Sequence, residues 1–187
     1  MRVTGGSRRG LTVDVSGLPQ LRPTKAMVRE AMFSVIGTEY IVDALVADLF
    51  AGSGILAIEA LSRGAKAAWC VDSAPDSCRL IEKNLHKAKF QQQCQVVNLS
   101  AARFIQGKSI QSQHFDLVFM DPPYRSPVLN RTIKMIAEQN FLSPSGTLVV
   151  EHDHRDVVEV PLPLEIWKQK RYGHSSVTFI IRQPTRS

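Results

Sequence analysis

A chain of 187 residues suffices for one ordinary domain with a real core, and 44% hydrophobic and 21% charged residues are ordinary globular values. The longest apolar stretch, residues 44–61, carries Asp48 and Glu59 and so does not read as a membrane span, and the first ten residues lack the apolar centre of a signal peptide. Cys70, Cys78 and Cys94 show no CxxC spacing, which favours thiols in a reducing, cytoplasmic setting over a disulfide framework or a zinc site.

The net charge of +6 sits at the two ends. Residues 1–30 sum to +4 and residues 168–187 to +5, around a mildly acidic middle of −3. Such a map suits a polyanion docking beside a catalytic core, and composition alone allows a solubilising fringe equally well.

In chain order, residues 1–18 read as a polar hairpin, with Val3 and then Leu11, Val13 and Val15 alternating around Gly5-Gly6 and Gly10. Thr24 is placed to cap a helix that carries Ala26, Met27, Ala31, Phe33 and Val35. From Ala44, apolar runs at 44–50, 67–72, 94–98, 115–120 and 146–151 alternate with helical stretches near 54–63, 77–89, 100–105 and 128–139. That rhythm predicts right-handed crossovers and a mostly parallel sheet. Residues 164–172 and 175–182 flank Gly173-His174 and read as an antiparallel closing pair. The expected fold is α/β: a Rossmann-like core over 40–187 with a mostly parallel seven-stranded sheet, and a hairpin-helix extension over 1–39.

The first strand runs through Asp48-Leu49-Phe50-Ala51-Gly52-Ser53-Gly54 directly into a helix. Glycines at such a turn let a ligand approach backbone amides at a helix N-terminus. Gly52, Gly54 and Ala57 also fit a dinucleotide fingerprint, so NAD or FAD competes for this loop. Asp48 argues the other way, because an acid there repels a pyrophosphate but receives the ammonium group of S-adenosylmethionine. The candidate cofactor residues are thus Asp48, Phe50, Gly52, Ser53 and Gly54. Asp72 and Ser73, at the second strand's tip, can hold the ribose hydroxyls of either cofactor. Ser100 and the Ala101 amide, after the third strand, are candidates for the adenine edge.

The fourth strand ends in Asp121-Pro122-Pro123-Tyr124. A nucleobase exocyclic amine is a poor nucleophile because its lone pair is delocalised into the ring. The Asp121 carboxylate and the Pro122 carbonyl can accept its two N–H groups and localise that pair. Pro122 and Pro123 hold the acceptors extended, so they need no reorganisation. Tyr124 offers a ring on which an extruded base can stack.

Taken together, Gly5-Gly6 with Arg9-Gly10, Arg22-Pro23-Thr24, Val28-Arg29-Glu30-Ala31-Met32-Phe33, DLFAGSG, LSRGA at 61–65 and DPPY resemble the RsmD family of bacterial 16S ribosomal RNA (guanine-N2)-methyltransferases. The resemblance runs through essentially the whole chain. It implies a class I S-adenosylmethionine-dependent methyltransferase, a guanine of 16S rRNA as acceptor, and an assembled or assembling small ribosomal subunit as partner. It places Thr24 and Arg29 near the active site, and the candidate RNA contacts are Arg8, Arg9, Arg22, Thr24, Lys25 and Arg29. The segment from Arg22 to Arg29 reads equally as a helix bracing the sheet.

Other features are plainer. Glu151-His152-Asp153-His154 falls in an expected polar loop without a spaced partner, so no metal is expected. Trp69 and Trp167 read as packing residues, and the lysines of 77–89 as a solvated face. Competing functions are an amino-methyltransferase acting on another RNA, DNA adenine or protein glutamine, a nicotinamide-dependent oxidoreductase, and a non-catalytic RNA-binding module.

Overall fold

In the computed structural model, which describes residues 1–17, 24–107, 110, 112–123 and 126–183 (backbone alone at Thr24 and Lys25), seven strands form one sheet. They are β1 (Leu45–Asp48), β2 (Ala67–Asp72), β3 (Cys94–Asn98), β4 (Phe115–Met120), β5 (Leu142–Asp153), β6 (Leu164–Tyr172) and β7 (Ser175–Arg182), in the order β3-β2-β1-β4-β5-β7-β6. Strands β1 to β5 are parallel, and β7 enters antiparallel between β5 and β6. The crossovers carry α2 (Ile55–Ser62), α3 (Pro75–Ala88), α4 (Ala101–Ile105) and α5 (Val128–Glu138), while α1 (Thr24–Ile36) precedes β1.

Local chemistry sets these bounds. Helix α3 opens on Pro75, whose fixed φ suits a first helical turn, with Asp76 at its positive end. It closes with His86 and Lys87 in the last turn and Lys89 in the left-handed region at φ 59°. Alternation along β4 divides the core: Leu117 and Phe119 face α1 to α3, and Val118 and Met120 face α4 and α5. Phe33 of α1 lies 5.4 Å from Phe119 on the first face, and Phe115 lies 4.7 Å from Phe141 on the second.

The N-terminal arm pairs as the expected hairpin over a short span: the Val3 amide donates to the Leu11 carbonyl at 2.9 Å, the Gly10 amide to the Val3 carbonyl at 2.8 Å and the Val13 amide to the Met1 carbonyl at 2.6 Å. It keeps one bridge, Arg2 to Thr12, around a single 3₁₀ turn at Gly6–Arg8. The amides of Thr4, Gly5, Arg8 and Asp14, left over from that pairing, bond to side chains of α2 and α3. Val3 and Val13, 2% and 1% exposed, enter the same cluster as Ile58, Leu61 and Leu85. Gly6 presses so close to α2 that a Cβ would meet the Ser62 carbonyl oxygen at 1.8 Å, and its φ of 74° is one that glycine adopts freely.

The fastening is Glu59, fully buried in α2. Its carboxylate accepts the Thr4 amide at 2.8 Å, the Thr4 hydroxyl at 2.6 Å, the Gly5 amide at 2.8 Å and the Arg63 guanidinium at 2.9 Å. Arg29 Nε stands 3.5 Å away, an ion pair outside hydrogen-bonding geometry, and another Arg29 nitrogen donates to the Arg2 carbonyl at 2.6 Å. Arg29 is only 3% exposed, so its expected RNA contact is corrected: it is an internal counter-ion joining α1, α2 and the arm. Burial lowers its pKa, and the Glu59 charge opposes that shift.

Two further corrections concern the last third of the chain. Strand β5 starts at Leu142 and runs to Asp153, so Glu151, His152 and Asp153 are buried in a strand rather than exposed in a loop. His152 Nδ1 lies 2.8 Å from the Asp153 carbonyl, which can only accept, so that nitrogen carries the proton and Nε2 accepts from the Thr178 hydroxyl at 2.9 Å. Among the described residues no cluster is placed to hold a metal ion. Trp69 is partly buried edge-on against Phe115, but Trp167 is 50% exposed. No described helix is long and apolar enough to cross a membrane.

Removing one partner of a buried ion pair leaves an uncompensated charge, at a cost of ~3–5 kcal/mol. Glu59→Ala is therefore expected to lose about that much in a urea unfolding titration. A loss under ~1 kcal/mol would show that the arm is fastened elsewhere.

Candidate active site

Parallel strands deliver their carboxyl ends to one edge, and here β1, β2 and β4 bring Asp48, Asp72 and Asp121 to or just beyond it. Asp48 pairs in register with Cys70 on one side and Phe119 on the other, which places its carboxylate at the centre of the sheet. It is 1% exposed, and neither of its oxygens has a hydrogen-bond partner. The amides of Phe50 and Ala57 favour its charge weakly without reaching hydrogen-bonding geometry. Burial first, then the charges of Asp121 and Asp72, push its pKa up to about 8.

The loop after β1 is built to bring backbone to a ligand. Gly54 caps α2 from the left-handed region, at φ 75°. A Cβ there would lie 3.1 Å from the Ile81 side chain of α3, so a larger residue would push Ile81 aside as well as strain the backbone. Gly52 donates its amide to the Asp72 carboxylate at 2.9 Å, and Ala74 donates to the other Asp72 oxygen at 2.9 Å. Asp72 is thus held between the glycine loop and the start of α3. Phe50 is half-buried against the α4–α5 side of the core, Ser53 is buried and Ser73 is exposed.

Ser100 is the N-cap of α4, its hydroxyl oxygen accepting the Arg103 amide at 3.3 Å, which leaves its hydrogen as the group it can offer a purine. Ala101, at the helix start, is 5% exposed. At the tip of β4, Asp121 is half-buried, Pro122 buried and Pro123 exposed, while Tyr124 falls outside the described residues. Arg22 and the side chains of Thr24 and Lys25 fall outside them too. Arg9 is exposed on the arm. Arg8 is half-buried: its Nε donates to the Ala88 carbonyl at 2.8 Å, and its guanidinium lies 5.4 Å from the Phe90 ring centre.

One connecting residue was not picked out from the sequence. Asn84 of α3 is 1% exposed, and its side-chain amide donates to the Ser53 carbonyl at 3.0 Å and to the Asp14 carbonyl at 2.8 Å. Its oxygen accepts the Asp14 amide at 2.9 Å. The arm and the glycine loop are therefore tied through one side chain. The signal for it was an amide among Cys78, Ile81, Leu85 and Ala88 on the apolar stripe of α3, where a polar group demands buried partners.

A buried carboxylate without a partner, between two further acids, is chemically suited to a cation and hostile to a pyrophosphate. Asp48 is the group that could hold the ammonium of S-adenosylmethionine, and Asp72 one that could hold its ribose hydroxyls. The residues fit that molecule better than a dinucleotide.

Residues 1–181 match the family model described as conserved hypothetical protein 95. The ribosomal RNA small subunit methyltransferase D of Haemophilus influenzae is 34% identical over 175 residues, which cover 92% of this chain and 89% of that one. The Escherichia coli protein of the same name is 34% identical over 174 residues, covering 92% and 85%. Among solved structures, the Escherichia coli protein yhhF, a candidate methyltransferase, superposes with a TM-score of 0.86 at 32% identity over 99% of both chains. The chain belongs to this family, the RsmD family that its arm and loop motifs resemble.

Proposed function

We propose that this protein is an S-adenosylmethionine-dependent methyltransferase of ribosomal RNA, and that it methylates the exocyclic N2 amine of a guanine in the 16S RNA of the small subunit. The observation that carries the reading is the partnerless Asp48 carboxylate, buried at the tip of β1 beside the Asp121-Pro122-Pro123 tip of β4. The family membership supports it, since relatives covering most of the chain are named for small-subunit ribosomal RNA methylation.

When bound, S-adenosylmethionine supplies an electrophilic methyl group on a sulfonium centre. The chain's own residues do the rest. Asp48 receives the ammonium, Asp72 holds the ribose, and its bond to the Gly52 amide keeps the loop closed around both. Asp121 and the Pro122 carbonyl accept the two amine hydrogens of the base, which concentrates the lone pair on nitrogen and aims it along the line of displacement. Catalysis by such positioning can contribute ~7–11 kcal/mol. The amine becomes strongly acidic only once methylated, so Asp121 needs no unusual basicity to take the proton then. Tyr124 is the residue proposed to stack on the extruded base, and Arg9 is the described arm cation available to RNA phosphates. The small ribosomal subunit, assembled or assembling, is the proposed partner, and the cytoplasm the proposed setting.

The chemistry is tested at Asp121. Asp121→Ala is expected to keep near-normal cofactor affinity and to slow single-turnover methyl transfer to undermethylated small subunits by ~100-fold or more. Turnover at the wild-type rate would remove Asp121 from the mechanism. A preference for double-stranded DNA over small subunits and deproteinised 16S RNA would move the substrate to the DNA class.

The cofactor assignment is tested by pH. An acid whose pKa is raised on folding keeps a proton that the unfolded chain releases near pH 4, so the free protein loses stability as pH climbs from about 4 to about 8. A cation at Asp48 reverses that preference and drives the proton off. Affinity for S-adenosylmethionine is therefore expected to rise between about pH 6 and about pH 8, with proton release visible by calorimetry in buffers of different ionisation enthalpy. Asp48→Asn should weaken binding and flatten the profile. Equal affinity and an unchanged profile in that variant would place the ammonium elsewhere.

A further inference from the structure

Strand β6 is the outer edge of the sheet, and residues 166–171 on it are all exposed. Lys168 pairs with Phe179 and Lys170 with Val177, two residues of the α1–α3 side of the core, so both lysines project from that side of the edge. A register shift between Ile166 and Lys168 brings Trp167 to the same side, its ring edge-on to Phe179 at 6.1 Å. Trp167 is 50% exposed, and the Lys168 ammonium lies 5.6 Å from its ring centre. No acid occurs between positions 168 and 187.

The ridge is also in register with the catalytic tip. One row crosses the sheet through Met120, Val150, Thr178 and Gln169, and β6 runs in the same direction as β4. Lys170 is therefore level with Asp121, three strand spacings away, or about 14 Å at ~4.8 Å each. Guarding an exposed edge against another strand needs only the lysines. A half-exposed tryptophan adds nothing to that task, whereas an aromatic face flanked by cations is the chemistry that binds single-stranded nucleic acid.

We propose that Trp167, Lys168 and Lys170 form a docking ridge for a single-stranded segment of the RNA being methylated, with one base stacked on Trp167 and phosphates on the lysines. This rests on the RNA methyltransferase reading and extends its contact surface to the far edge of the sheet. A base arriving on the ring displaces the Lys168 ammonium toward a phosphate, so the aromatic and the cation act as a unit.

Titration with a short oligoadenylate tests the ridge directly. It should quench tryptophan fluorescence in the wild type. Trp167→Ala should weaken oligoadenylate binding by ~5–150-fold, the worth of one stacked base, and Trp167→Phe should recover most of the affinity without the quenching. Lys168→Gln with Lys170→Gln should flatten the salt dependence by up to about 1.4 in log–log slope. S-adenosylmethionine affinity should stay constant in all three variants. Unchanged oligoadenylate affinity in Trp167→Ala, or quenching that persists in Trp167→Phe, would overturn the ridge. So would a Trp167→Ala variant that turns a dimer into a monomer in sedimentation while binding RNA normally, since the face would then join two copies of the chain. Wild-type methyl transfer to small subunits separates the two ideas. Transfer with no effect of the ridge variants retires the ridge alone, and absence of transfer to any RNA retires the reading beneath it.

Discussion

Everything at the site depends on holding like charges together at one edge of a parallel sheet. Asp48, Asp72 and Asp121 come from three neighbouring strands, and the middle one is sealed from water without a hydrogen bond. Left to itself that arrangement opposes folding, and the raised pKa of Asp48 records the conflict. The sheet tolerates it because the strands carrying the acids are buried on both faces, with Phe33 against Phe119 on one side and Phe115 against Phe141 on the other. Strain confined to a ligand site and carried by the surrounding core is how a protein keeps a site poised for its ligand.

The arm belongs to the same device. Glu59 fastens Thr4 and Gly5 to the helix that begins at the glycine loop, Ser62 accepts the Arg8 amide at 2.8 Å, and Asn84 joins Asp14 to Ser53. Each bond links the first fourteen residues to α2 or α3, the two helices whose N-termini face the cofactor loop. The arm is therefore tied to the glycine loop through the side chain of Asn84 and through α2.

The sequence made the sheet legible because its strands are short apolar runs separated by helices, and period alone identifies them. The placing of Asp48, Asp72 and Asp121 at one sheet edge was legible because each lies at or next to the end of such a run. What escaped has one physical cause: partners distant in sequence. Leu142 joins β5 by pairing with Phe115 across the sheet, although Ser143-Pro144-Ser145-Gly146 reads locally as a turn. Arg29 looks like a surface cation until Glu59, thirty residues on, is brought beside it. The arm pairs as a hairpin as its alternation predicts, but that α2 takes the Thr4, Gly5 and Arg8 amides is invisible locally. Trp167 reads as a core residue, and only its position on the outermost strand leaves half of it in water.

The charge map follows from the acids at the centre. A cleft edged by Asp72 and Asp121 disfavours a phosphate backbone lying across it. A neutral base can enter, and a cationic methyl donor is drawn in. Of the two proposed cation sets, Lys168 and Lys170 on β6 are in register with the end of β4, whereas Arg9 follows Arg8, which is bonded at the far ends of α2 and α3. Under the proposed chemistry a duplex keeps its amines paired, whereas a single-stranded loop can turn a base out toward Asp121 at low cost.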